Sequence, residues 1–161
     1  MEKWEWFLGT GSKKPLNKNV AKDILISFKN VAEKNNIIFW LDCGTLLGAI
    51  RNKDFIDYDI DIDVRIYFND IPKLIKSIPE LKENGLDILR TSNNEISFIK
   101  DGEYLDIEFL KQPTKYTKEL DTINFLDIEF KIPKYIDEYL TIMYGDWKTP
   151  SKNHTWIVPG T

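Results

Sequence analysis

Apolar positions along the chain fall into two rhythms, one of three and four residues and one of two, and the switches between them mark out elements. Val20, Ile24, Leu25, Phe28 and Val31 recur at helical spacing, with Asn19 as N-cap and Asn35-Asn36 as a stop, which predicts a helix from about 20 to 34. The run Ile37 to Leu41 ends at Asp42-Cys-Gly and predicts a buried strand that carries Cys43 and meets a tight turn at Gly44. Leu46, Leu47 and Ile50 then predict a short helix from Thr45 to Arg51, and the loop Asn52 to Ile56 leads to an extended segment ending near Phe68. Ile71, Leu74, Ile75, Ile78 and Leu81 mark a helix capped by Asn69, broken or kinked at Pro79, and closed by Asn84-Gly85.

Beyond Gly85 the rhythm of two takes over. Strands are expected over 86–90, 96–99 and 104–110, the last two joined by an Asp101-Gly hairpin turn. Residues 111–121 are polar and read as a loop, and 123–132 as one further extended segment. Pro133 can open a last helix whose apolar face is Ile136, Tyr139, Leu140 and Met143, ending at Gly145. The ends read as irregular: an arm over 1–18 that holds Trp4, Trp6 and Phe7 and whose tryptophans pack on the domain, and a tail from Lys148 that carries His154 as a surface residue.

One extended segment breaks the usual polarity rule. In Asp57-Tyr-Asp-Ile-Asp-Ile-Asp63 four aspartates alternate with Tyr58, Ile60 and Ile62, so a strand would place Asp57, Asp59, Asp61 and Asp63 on one face. Neighbours on that face stand about 7 Å apart, and unit charges at that distance repel by roughly 2 kcal/mol at an effective dielectric near 20. A divalent cation would relieve that cost; the bland alternative is a solvated edge strand whose charges discourage aggregation. A calcium loop does not fit, because Val64 stands where such a loop needs glycine. Asp106 and Glu108 alternate in the same way with Leu105, Ile107 and Phe109, giving a second carboxylate face. The Gly44 turn at a helix start would seat a phosphate close to free backbone N–H groups.

Composition narrows the field. The chain has 161 residues, enough for one domain with one core, and a net charge of -4 that leaves no basic surplus for nucleic acid. Cys43 is the sole cysteine, so an internal disulfide and a cysteine-cluster zinc site are excluded; with no histidine nearby in sequence it reads as a buried small residue. No stretch approaches a membrane span and the first residues lack a signal-peptide pattern, so a soluble cytoplasmic protein is the expectation.

Trp40-Leu-Asp-Cys-Gly-Thr-Leu-Leu-Gly-Ala-Ile-Arg51 followed by Phe55-Ile-Asp-Tyr-Asp-Ile-Asp-Ile-Asp63 resembles the LicD family, phosphocholine transferases to which the fukutin-related proteins are also related. Tyr104-Leu-Asp-Ile-Glu108 looks like the family's third-carboxylate strand, and Tyr144-Gly-Asp-Trp147 with Pro150 resembles its C-terminal motif. The chain departs from the family at Asp57-Tyr58, where Pro-Trp is usual, and at Lys53-Asp54, where Lys-Gly is usual, so Asp57 receives no role. The resemblance implies an α/β (α+β) nucleotidyltransferase fold over residues 1–161, a mixed β-sheet flanked by helices with the site on one edge. It implies Asp61, Asp63 and Asp106 as metal ligands, Asp59 as a supporting catalytic carboxylate, and Gly44, Thr45 and Arg51 on the phosphate side. Asp59 with Asp61 also fits the Asp-x-Asp pattern, which leaves the register open.

The implied reaction is Mg²⁺- or Mn²⁺-dependent transfer of a phosphoalcohol, such as phosphocholine, from a CDP-linked donor to a hydroxyl of a glycan or related acceptor. Two alternatives keep the fold: a nucleotidyltransferase moving NMP from an NTP to a small molecule or protein, and a catalytically silent nucleotide-binding module.

Overall fold

A computed structural model describes residues 14–150. Trp4, Trp6, Phe7 and His154 lie outside the described residues. The first helix, α1 (Lys18–Lys34), forms because Ala21, Ile24, Leu25, Phe28, Val31 and Ala32 make one buried stripe. Its N-cap is Asn17, two residues earlier than the expected Asn19: the Asn17 side chain accepts from the N–H groups of Asn19 and Val20.

The short strand β1 (Phe39–Leu41) stops before Asp42, and α2 (Cys43–Arg51) starts directly after it. Gly44 therefore sits in the first turn of a helix, and Cys43 opens that helix with φ 51° instead of closing a strand. The next strand, β2 (Asp61–Tyr67), begins only at the third aspartate of the run. Asp57 and Asp59 precede it in a turn where the Asp59 N–H donates to the Ile56 carbonyl at 3.0 Å, so the expected ladder of four aspartates reduces to two in the strand. Then come α3 (Ile71–Glu83), β3 (Asp87–Thr91), β4 (Glu95–Lys100) and β5 (Glu103–Leu110). Pro79 neither breaks nor ends α3, and Asp70 stands at its N-cap position in place of Asn69. The Asp101-Gly102 turn has both residues at positive φ, which matches the right-handed twist of the hairpin it joins.

The expected single extended segment over 123–132 is instead a hairpin of β6 (Leu120–Phe125) and β7 (Ile128–Pro133). Its turn residues Leu126 and Asp127 both take positive φ without glycine, a turn that composition does not announce. Pro133 closes β7, and α4 (Ile136–Tyr144) starts after Tyr135.

The main sheet runs β1-β2-β5-β4-β3, with β2 and β5 parallel and the other pairs antiparallel. One face carries Ile62, Val64, Ile66, Leu105 and Ile107, all fully buried in a core shared with α1 and α3. The other face carries the polar residues in alternation. Phe39, Phe130 and Phe125 link the hairpin to β1 by edge-to-face contacts, extending the core under it. No helix of the described residues is long and apolar enough to cross a membrane.

Candidate metal and transfer centre

The parallel pairing of β2 with β5 sets Asp63 beside Asp106 and Asp61 beside Tyr104. Alternation then puts Asp61, Asp63 and Asp106 on the polar face, opposite the apolar one. Each offers one carboxylate oxygen, and the three lie within 4.8 Å of one another; all three residues are buried. The three acids sit on the two inner strands β2 and β5. All donors are hard oxygens, with no thiolate or imidazole among them, which fits Mg²⁺ or Mn²⁺ and disfavours zinc.

The start of α2 backs this centre. Thr45 is fully buried and its Oγ accepts the Asp63 N–H at 2.9 Å, fixing the backbone that carries the middle ligand. A Cβ on Gly44 would stand 2.6 Å from Asp59 Oδ2, so the missing side chain is what lets the buried Asp59 carboxylate lie against the helix. Asp59 Oδ1 in turn accepts the Ile60 N–H at 3.0 Å. Asp57 is exposed and paired with Lys18 at 2.7 Å, whose hydrogen bond pulls the Asp57 carboxyl below its usual range. Arg51 is six residues beyond Thr45, about 9 Å along the helix axis. There its guanidinium donates to the Trp147 carbonyl at 3.2 Å and lines a cavity of about 470 Å³ with Asn52, Ile56, Asp57, Tyr58 and Pro150.

Several residues of this region carry no mark in the hydrophobic pattern. Asp42, fully buried, caps α2 by accepting the Cys43 N–H at 2.8 Å, and also accepts from Trp40 Nε1 at 3.2 Å and from the Tyr139 hydroxyl at 2.8 and 2.9 Å. Arg65, two residues along β2 from Asp63, lies 3.5 Å from Asp42 and donates to Glu108 at 3.0 and 2.9 Å. Burial works against the Arg65 charge, but Asp42 and Glu108 outweigh it and hold the guanidinium charged. The Tyr139 hydroxyl is pushed far up by burial and then by Asp42, so it stays a donor. Burial, followed by Asp42 and Asp63, also raises the Cys43 thiol, which keeps it neutral and unlike a nucleophile. Tyr144, the first residue of the C-terminal motif, is buried, with its hydroxyl raised chiefly by burial and further by the nearby Asp63 carboxylate. A proline or acidic N-cap test applied to Asp42-Cys-Gly identifies the cap; nothing local identifies Tyr139, 97 residues away.

A mixed sheet with paired acids on one inner strand and a third on its parallel neighbour defines a nucleotidyltransferase fold. A lincosamide antibiotic adenylyltransferase, LnuA, shares it with a TM-score of 0.54 at 15% identity, over 74% of this chain and 84% of that one. Residues 36–86 match the family model described as LicD/FKTN/FKRP, nucleotidyltransferase domain, a stretch that holds the Gly44 turn and the aspartate run. Ribitol-5-phosphate transferase FKTN of Macaca fascicularis is 29% identical over 162 residues, covering 84% of this chain and 35% of that protein. Lipopolysaccharide cholinephosphotransferase LicD of Haemophilus influenzae is 39% identical over 56 residues, 35% of this chain and 21% of that protein. The chain thus spans from under a tenth to about a third of the length of the curated relatives it matches.

Proposed function

We propose that this protein is a Mg²⁺- or Mn²⁺-dependent transferase that moves a phosphoalcohol from a CDP-linked donor to a hydroxyl of a glycan or related acceptor. The observation that carries the reading is the convergence of Asp61, Asp63 and Asp106 at buried positions within a LicD-type segment. The transferred group and the acceptor class follow those of the relatives, a ribitol-5-phosphate transferase and a lipopolysaccharide cholinephosphotransferase.

Asp61, Asp63 and Asp106 would hold the ion, with Asp59 as a supporting carboxylate. When bound, the ion supplies charge neutralisation at the donor's phosphate oxygens. The chain's own part is positional. Thr45 fixes the Asp63 backbone, Gly44 admits Asp59, and the buried floor limits the water that could compete with the acceptor. In the transfer the acceptor oxygen bonds to phosphorus as the bond to CMP breaks, and the hydroxyl proton leaves to a carboxylate or to water. Gly44 and Thr45 bring the positive end of α2 to this side of the site; Arg51 would meet substrate at the cavity beyond its far end.

Thermal-shift measurements with and without Mg²⁺ or Mn²⁺, across CDP-choline, CDP-ethanolamine, CDP-ribitol and the four NTPs, test the reading. Metal-dependent stabilisation by CDP-alcohols alone is expected. Selective stabilisation by NTPs would assign NMP transfer instead, and no response to any metal-nucleotide pair would assign a silent module.

A further inference from the structure

Ser97 and Arg90 are absent from the ligand set, yet both reach it. Strands β3 and β4 pair Ile88 with Phe98 but Arg90 with Ser97, so two steps on β3 match one on β4 and Leu89 is the extra residue of a bulge. That bulge decides which face Arg90 serves. In an unbroken ladder Leu89 would stand opposite Ser97 and Arg90 opposite Ile96, on the other face of the sheet. With the bulge, Leu89 is left exposed and Arg90 falls opposite Ser97, which itself stands opposite Asp106 on β5. Arg90, Ser97 and Asp106 therefore form one row across three strands.

The row is also connected chemically. Ser97 Oγ, fully buried, donates to Asp106 Oδ1 at 2.8 Å. Arg90 Nη2 donates to Ser97 Oγ through a long 3.4 Å bond, lies 3.9 Å from Asp106 Oδ1, and is itself held by Glu95 at 3.1 Å. Guanidinium has donors and no acceptor, so facing it the hydroxyl must use its lone pair, and its single proton is left for Asp106. Thr45, by contrast, holds Asp63 through its backbone N–H and not through its carboxylate.

We infer that Ser97 is a positioning residue, oriented by Arg90, that fixes the rotation of the Asp106 carboxylate so that it converges with Asp61 and Asp63 on a divalent cation. The inference rests on the metal-dependent reading above. Groups that orient metal ligands in this way typically contribute about 10- to 100-fold to metal affinity.

Titration of the full chain with Mn²⁺ alone, reading free ion by electron paramagnetic resonance, tests it, with metal-free melting curves as the control for folding. Ser97→Ala should weaken Mn²⁺ binding by about tenfold or more. Arg90→Lys keeps the charge near the ion but loses the planar fork, and should weaken binding by a smaller factor. Added to Ser97→Ala it should weaken binding no further, because its effect passes through the missing hydroxyl. Unchanged affinity in a folded Ser97→Ala protein overturns the inference and leaves the cation reading standing, as does an additive double variant. If Ser97→Ala does not fold, unchanged affinity in Arg90→Lys overturns the inference by itself. A wild-type protein that binds no Mn²⁺ overturns both.

Discussion

Two groups of buried acid, one at the cap of α2 and one on β2 and β5, meet where the Asp42 N–H donates to the Asp63 carbonyl and are answered in different ways. Asp42 is a lone carboxylate that the fold surrounds with donors: Tyr139, Trp40, the Cys43 N–H and the Arg65 guanidinium. Asp61, Asp63 and Asp106 are like charges drawn within 4.8 Å of one another. The first arrangement completes itself within the chain, and the second gains most from a cation brought from outside. On the proposed reading, buried acid is a stability device at Asp42 and a binding device at the triad, and substitutions should affect stability with opposite sign.

The largest expected effect is at Asp42. Asp42→Ala removes the α2 cap, leaves the Trp40 and Tyr139 donors buried without their acceptor and leaves Arg65 with Glu108 alone, which should cost about 3 kcal/mol or more and lower Tm by on the order of 10 °C. A change below about 2 °C by thermal unfolding would break the comparison. Next, Asp61→Asn with Asp63→Asn should raise the metal-free stability by about 1–2 kcal/mol through relieved repulsion, while turnover falls at least about a hundredfold. A destabilised double variant would mean that the fold, not a ligand, depends on those charges.

Smaller effects sharpen the boundary between the two regions. A Cβ on Gly48 would stand 2.5 Å from the Asp54 backbone carbonyl, which cannot swing away, so Gly48→Ala should cost about 2 kcal/mol in urea unfolding. Gly44→Ala meets only the Asp59 carboxylate and should cost less stability but shift the metal dependence of turnover. Tyr139→Phe keeps the ring and removes one donor to Asp42, and should cost about 1 kcal/mol with metal affinity unchanged.

What the sequence reveals follows from how local each determinant is. The stripes of α1 and α3, the strands β3 to β5 and the Asp101-Gly102 turn are local patterns, and they appear where they are expected. The three converging acids are legible because alternation fixes their face and the LicD-type motifs link Asp61 and Asp63 to Asp106. The β6–β7 hairpin is hidden because Leu126 and Asp127 turn without glycine. Asp57 and Asp59 fall out of the ladder because the chain turns from Ile56 to Asp59 before β2 begins, which alternation alone does not disclose. The Asp42 network depends on Tyr139 from a distant helix, and Arg90 reaches the site only through a bulge, so both needed three dimensions.

The central claim is that the three acids form a cation site, and calorimetric titration of Mg²⁺ into the wild type and into the Asp61→Asn, Asp63→Asn variant tests it most directly. Saturable binding in the wild type that disappears in the variant is the expected result. Equal binding by both proteins, or none by the wild type, would contradict it.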